Sequence, residues 1–358
     1  MARRTPTQRA IASGRTPLQR GKRDLASLSD GELLSCRFCD LPIDFATAPI
    51  AHRAERLFVE LRSRGIRCKP AIWLSEEWFN PEGVVGFAVP FYLVHPRLIR
   101  LERRLMLEAE GVAEIECMRI LRHETGHAID EAFQLYRRSD YARVFGRPSR
   151  PYPTSYAVTP VSREYVTNLN AWYAQAHPVE DFAETFAVWL GSKRWATRYR
   201  DWPAMAKLQQ VQSWMTHFAG RLPLRDDFGP VETLENNERT LDQHYQEKRA
   251  FYGIGAASQY DRALQRLFPL PKSADKARRH PSAARFLRSL RVPVRRQASD
   301  PLGVPAYVVD QILRQFARRA QALDLRVARP ADEITDALVK LVTRATIGAL
   351  KDGQRLPL

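Results

Sequence analysis

The sequence has no apolar run long enough to cross a membrane, and it contains little cysteine. Its longest apolar segment, Val84–Val94, is interrupted by Gly86 and Pro90, whereas a membrane helix needs about 20 mostly apolar residues. The basic N-terminus is not followed by the apolar stretch of a secretory signal. Four cysteines in 358 residues exclude a scaffold held together by disulfides. We therefore expect a protein of the reducing cytoplasm that has no membrane span.

Acidic residues are also absent from residues 1–23, and the charge of the chain is unevenly distributed. The formal net charge is +16, of which residues 1–23 contribute +7 and residues 256–358 contribute +11, so that residues 24–255 sum to −2. One interpretation is an ordinary solvated basic surface. The other is an acidic partner or a nucleic acid bound through the two ends of the chain.

The composition is that of a globular protein, with 44% hydrophobic and 27% charged residues, which excludes a wholly disordered chain. Residues 1–28 lack hydrophobic periodicity and predict a basic disordered arm. Residues 29–255 predict a domain of mixed helix and strand. Residues 256–358 predict a basic helical C-terminal region, with the boundary at Gly253-Ile254-Gly255.

Hydrophobic periodicity places helices and strands along the chain and favours an α+β fold. Two β-rich segments, 66–74 and 84–94, predict strands, and Pro90 predicts that the second is an edge strand or carries a bulge. About forty irregular residues follow the helix that ends near Phe133, and a loop of that length in a compact domain is usually functional. The predicted helices span residues 51–65, 112–133, 180–190, 203–219, 231–252, 305–323 and 331–350.

The segment His123-Glu124-Thr125-Gly126-His127 carries the strongest chemical signal, an HExxH motif within a predicted helix. Histidines at positions i and i+4 lie one turn apart on the same helical face, so both imidazoles can reach one Zn²⁺ ion. Glu124 follows the first histidine and is placed to accept a proton from the attacking water. Two surface histidines that serve only solvation are the alternative, but the apolar residues before the motif favour a core helix.

A second helical segment, which begins at His177-Pro178, offers the remaining ligand that a catalytic zinc site needs. Glu180 and Glu184 lie one turn apart, so one carboxylate can bind the metal while the other accepts a hydrogen bond from a ligating imidazole. Asp130 shares the face of His123 but lies about 10 Å further along the helix axis, so we interpret it as a structural residue or as a partner of the ligands. His177 is equally compatible with a capping role and with an oxyanion contact.

The two motifs, HETGH and about fifty residues later EDFAE, resemble those of the glutamate zincins, in particular a gluzincin-like zinc-binding metallopeptidase family. More remotely, the chain is similar to the anthrax lethal factor catalytic domain and the Mlc titration factor peptidases. The resemblance covers roughly residues 45–255. It implies Glu180 as the third zinc ligand, Tyr173 as a residue lining the site opposite the general base, and a zincin-like fold with a small twisted sheet beneath the motif helix.

The predicted function is therefore hydrolysis of peptide bonds by one zinc ion per chain, with Glu124 as general base and Tyr173 stabilising the oxyanion. Two alternatives come from other classes: a nucleic-acid-binding protein with a degenerate zincin core, and a protein whose C-terminal helices bind a partner that activates a latent peptidase. The intact Glu124 argues against a degenerate core, because a purely structural zinc site needs no general base. Cys36 and Cys39 form a lone CxxC, which is better explained by two thiols than by a second metal site.

Overall fold

The computed structural model describes residues 24–351 apart from Leu107, 154–155, 157–158, 160–161, 252–259, 269–279 and Gly303. This part of the chain divides into two compact units. The described residues of Met1–Leu105, Ala109–Pro153 and Val158–Glu247 form the first unit. Those of Met106–Glu108, Thr154–Ala157 and Lys248–Leu358 form the second.

Helices make up most of both units. The first unit contains α1 (Asp30–Ser35), α2 (Pro49–Ser63), nearly all of α3 (Pro96–Met106), α4 (Glu114–Phe133), α5 (Ser139–Val144), α6 (Pro178–Gly191), α7 (Trp195–Arg198), α8 (Met205–Phe218) and most of α9 (Leu241–Phe251). The second contains α10 (Asp261–Leu267), α11 (Ala283–Ser289), α12 (Arg291–Leu302), α13 (Ala306–Ala322) and α14 (Ala331–Lys351). Short 3₁₀ turns span Leu25–Ser27, Phe38–Asp40, Phe91–Val94, Leu135–Arg137, Asn170–Gln175 and Leu234–Asn236.

The sheet of the described part is small, with two parallel strands, β1 (Ala71–Ser75) and β2 (Gly86–Pro90), paired from Ala71↔Gly86 to Ser75↔Pro90. Both strands are shorter than the predicted segments. β2 ends at Pro90, which has no N–H to continue the ladder, and the chain turns into a 3₁₀ helix there. An isolated antiparallel bridge also joins Phe79 to Ala88 in β2, so the strand is not a simple free edge.

Most predicted helices are confirmed to within a few residues. α2 ends as expected before Gly65, whose φ of +75° is the left-handed conformation that glycine adopts at the end of a helix. The predicted helix over 231–252 is wrong in its first half, because only Leu241–Phe251 are α-helical. The described residues of the predicted forty-residue loop contain α5 and two 3₁₀ turns. Gly146 and Pro148 closely follow α5 and do not favour its continuation.

The last residues of the predicted arm, 24–28, are described by the structure. Residues 25–27 form a 3₁₀ turn capped by the Asp24 side chain, and Leu25 is buried. Residues 1–23 and the predicted boundary at Gly253–Gly255 lie outside the described residues. The functional division of the chain into arm, catalytic domain and C-terminal region stays a prediction.

Each unit has its own core. In the second unit, α10–α14 pack around buried aliphatic and aromatic side chains such as Leu287, Phe316 and Leu338. In the first unit, α4 and α6 are buried along most of their length, and they approach each other closely at Gly126 and Ala183. Within the described residues, no helix has both the length and the apolar character that a membrane span requires. The four cysteines are present as thiols.

Candidate metal centre

The crossing of α4 and α6 brings the two sequence motifs together. A β-carbon built on Gly126 would lie 2.8 Å from the Ala183 α-carbon and 3.0 Å from its carbonyl oxygen, so only glycine permits this approach. The crossing lies next to His127 on α4, and Glu180 is in the first turn of α6. Two residues without side-chain chemistry therefore set how closely the ligand-bearing helices meet.

Three side-chain atoms of these helices form a nearly equilateral triangle. His123 Nε2 lies 3.1 Å from Glu180 Oε2, His127 Nε2 lies 3.2 Å from the same oxygen, and the two nitrogens are 3.2 Å apart. A tetrahedral zinc site with bonds of 2.0–2.1 Å would place its ligand atoms about 3.3 Å apart. The donor set and its spacing therefore fit zinc, and among the described residues this is the one such group of histidine, cysteine and carboxylate side chains.

Glu184 holds the imidazole of His123 in the orientation that a metal ligand needs. Its Oε1 lies 2.9 Å from His123 Nδ1, and its two oxygens also accept hydrogen bonds from the Asn168 amide and the Leu169 backbone N–H, each at 2.8 Å. Because an ionised carboxylate only accepts, His123 Nδ1 carries the proton. Nε2 therefore faces His127 and Glu180, and it can bind a metal ion once its own proton has left.

The electrostatics of the site favour a positive charge between the two glutamates. Burial by itself lowers the pKa of His123, but the hydrogen bonds that its ring donates to Glu180 and Glu184 raise it to about 10. Burial correspondingly raises the pKa of Glu180, but the facing imidazoles of His127 and His123 hold it well below its usual range. A bound metal ion would supply a positive charge that balances the same carboxylates.

Glu124 is a buried carboxylate next to this triangle. Only 4% of the residue is exposed, and its Oε2 has no hydrogen-bond partner within the described part of the chain. Burial raises the pKa of Glu124, while the charges of His123 and His127 act in the opposite direction. A buried carboxylate oxygen without a partner is costly, and a water molecule or an ion beside the triangle could satisfy it.

Tyr173 lies against the metal centre from a different segment. Its ring centroid is 5.3 Å from that of His123, and it belongs to the 3₁₀ turn Asn170–Gln175. The preceding Trp172 has a φ of +52°, a left-handed conformation that costs a bulky residue on the order of 1–3 kcal/mol. Such strain is characteristic of functional sites, and here it occurs in the turn that holds the phenol ring beside His123.

Tyr152 is a residue of the site that the sequence did not reveal. Its hydroxyl donates a hydrogen bond of 2.7 Å to Glu180 Oε1, and its ring stacks on His177 with centroids 3.9 Å apart. No periodicity marks a single tyrosine within the irregular segment after α5, although the length of that loop pointed to function. Asn168 and Leu169 were missed for the same reason, whereas the lone Gly126 in a long helix was a usable signal of close packing.

The remaining candidates have structural contacts. Asp130, near the end of α4, accepts hydrogen bonds from the Tyr136 backbone N–H at 2.8 Å and from the Tyr141 hydroxyl at 3.4 Å, which tie the end of the helix to the following turns. His177 is the N-cap of α6, and its Nδ1 accepts from the Val179 N–H. Of the two roles compatible with the sequence, the structure gives His177 the capping role.

Comparison with known proteins supports a metallopeptidase in the central part of the chain. Residues 117–209 match the model of a family described as "Putative zinc-binding metallo-peptidase". The match contains both motifs and confirms the family resemblance drawn from them. Comparison with curated proteins and with solved structures gives no match. The narrower similarity to the lethal factor domain and the Mlc titration factor peptidases therefore stays a prediction.

Proposed function

We propose that this protein is a zinc-dependent peptidase, in which His123, His127 and Glu180 hold one zinc ion per chain. The observation that carries the proposal is the buried triangle of three donor atoms next to a carboxylate, Glu124, that has one oxygen without a partner among the described residues. The family match over residues 117–209 supports the same chemistry. A zincin-like fold and a cytoplasmic location belong to the proposal as well.

When bound, zinc would polarise water and the peptide carbonyl. Glu124 Oε2 accepts the proton of the attacking water and then returns it to the leaving amine, which is general base and general acid catalysis by one group. Tyr173 donates a hydrogen bond to the oxygen on which negative charge develops. Glu184 keeps His123 in the required tautomer throughout. The substrate is a peptide or a protein.

The metal is tested by measuring the zinc content of the purified full-length chain. The wild-type protein should contain about one zinc per chain, and His123→Ala, His127→Ala and Glu180→Ala should each lose most of it. His217→Ala is the matched control, because His217 is exposed on α8 and should not affect the zinc content. Full zinc occupancy in Glu180→Ala would show that another group is the third ligand.

The reaction is tested with Glu124→Gln in a digest of a peptide library. This variant should keep its zinc and its fold, because Glu124 is not a ligand, while hydrolysis falls by orders of magnitude. Glu114→Gln on the same helix is the control, since this carboxylate is exposed and pairs only with surface charge. Equal cleavage by Glu124→Gln and the wild type would refute the mechanism. Retention on DNA that survives zinc removal would instead support the nucleic-acid-binding alternative.

A further inference from the structure

We propose that Tyr152 is a positioning residue of the metal centre, which fixes the Glu180 carboxylate so that one of its oxygens faces the two histidines. The inference rests on the proposed function, because it requires Glu180 to be a metal ligand. It assigns a role to a residue that neither the sequence motifs nor the family match single out.

The two oxygens of Glu180 have different neighbours. Oε2 lies 3.1 Å and 3.2 Å from the ring nitrogens of His123 and His127, whereas Oε1 accepts the Tyr152 hydroxyl at 2.7 Å. The Glu180 side chain is 4% exposed, so bulk water has little access to Oε1. The tyrosine hydroxyl therefore supplies a donor that solvent cannot easily replace.

Tyr152 is held independently of this hydrogen bond. Its ring is nearly parallel to the imidazole of His177, at an interplanar angle of 15°. That imidazole is itself fixed, because Nδ1 accepts from the Val179 N–H and Nε2 lies 2.6 Å from the Arg150 carbonyl oxygen, to which it donates. Residues 150–152 are thus attached to the start of α6 at two points, so the phenol is already oriented when a metal arrives.

The consequence is a ligand prepared for binding through one oxygen. A catalytic zinc site needs three protein ligands and one open position. A carboxylate whose second oxygen is held by a hydroxyl keeps that position open, and the same bond reduces the rotation that the side chain loses when it binds metal. The hydroxyl is needed for this role but not for the stacking of the ring on His177.

Tyr152→Phe separates the two contributions, because it removes the hydroxyl and keeps the ring. The zinc affinity of the metal-free full-length chain is measured by competition with a chelator. We expect it to fall about 10–100-fold, the range found for groups that orient metal ligands. The zinc-free protein should still fold but be less stable to urea, because Glu180 Oε1 loses a donor that solvent cannot easily replace. Tyr165→Phe is the control, because Tyr165 lies in the same connection but its ring contacts Lys207 at 4.0 Å.

A double-mutant cycle distinguishes positioning from a merely structural role. If the hydroxyl acts through Glu180, Tyr152→Phe should change the weak residual zinc affinity of Glu180→Ala by less than about twofold. The same loss in both backgrounds would overturn the inference, as would wild-type affinity in Tyr152→Phe alone. Failure of the wild-type chain to bind zinc would instead overturn the proposed function and this inference with it.

Discussion

Replacement of Gly126 by alanine tests whether the crossing of α4 and α6 sets the geometry of the metal centre. The added β-carbon would lie 2.8 Å from the Ala183 α-carbon, whereas ordinary contacts begin at 3.4 Å. Both atoms nearest to it belong to the backbone of α6, so no side-chain rotation relieves the contact. The helices must therefore separate by at least about 0.6 Å.

Two opposing energies follow from this substitution. Alanine in place of glycine within a helix gains about 1 kcal/mol, and overpacking of a well-filled core costs about 1–3 kcal/mol. We expect the cost of overpacking to exceed the gain from alanine, so the free energy of unfolding should fall by up to about 2 kcal/mol. Metal sites tolerate deviations of only about 0.2 Å in their ligand distances, so a helix separation of about 0.6 Å should also weaken zinc binding about tenfold or more.

Urea unfolding followed by tryptophan fluorescence measures the first quantity, and chelator competition measures the second. The fluorescence reports the first unit, because all seven tryptophans lie between residues 73 and 214. Gly31→Ala in α1 is the matched control, since a β-carbon there meets nothing within 4 Å. It should leave zinc affinity unchanged and raise stability by at most about 1 kcal/mol. Higher stability and wild-type zinc affinity in Gly126→Ala would refute the reasoning.

Three further substitutions test other parts of the first unit. Glu184→Ala should weaken zinc binding about 10–100-fold without abolishing it, and unchanged affinity in a chelator titration would contradict its role in orienting His123. Tyr173→Phe should lower peptide turnover about ten- to a thousandfold at normal zinc content, whereas unaltered turnover would remove Tyr173 from the reaction. Burial raises the pKa of Glu76, but hydrogen bonds from His244 and Asn237 lower it below its usual value of 4.5. The ionised Glu76 therefore stabilises the fold fully above pH 4.5, and this stabilisation disappears as the pH falls through the lowered pKa. Glu76→Gln should therefore cost about 1–3 kcal/mol at pH 7 and less at pH 3 in urea unfolding, and an equal cost at both pH values would contradict this assignment.

The sequence was sufficient for features that depend on neighbours within one helix. His123 and His127 share a helical face because four residues make about one turn, and the same rule pairs Glu180 with Glu184. Helix positions followed from periodicity to within a few residues in α2, α4, α6, α13 and α14. These properties depend on residues a few positions apart, so contacts with distant parts of the chain are not needed to determine them.

Other features depend on contacts that only the folded chain creates. Glu180 and His127 are separated by 53 residues, and their approach requires the close passage of Gly126 past Ala183. The hydroxyl of Tyr152 reaches Glu180 only because its irregular segment folds back on the start of α6. Helical spacing thus determined which ligating side chains share a face of one helix. The packing of backbone against backbone determined which of those faces meet, and irregular loops with no periodic pattern determined which side chains complete the site.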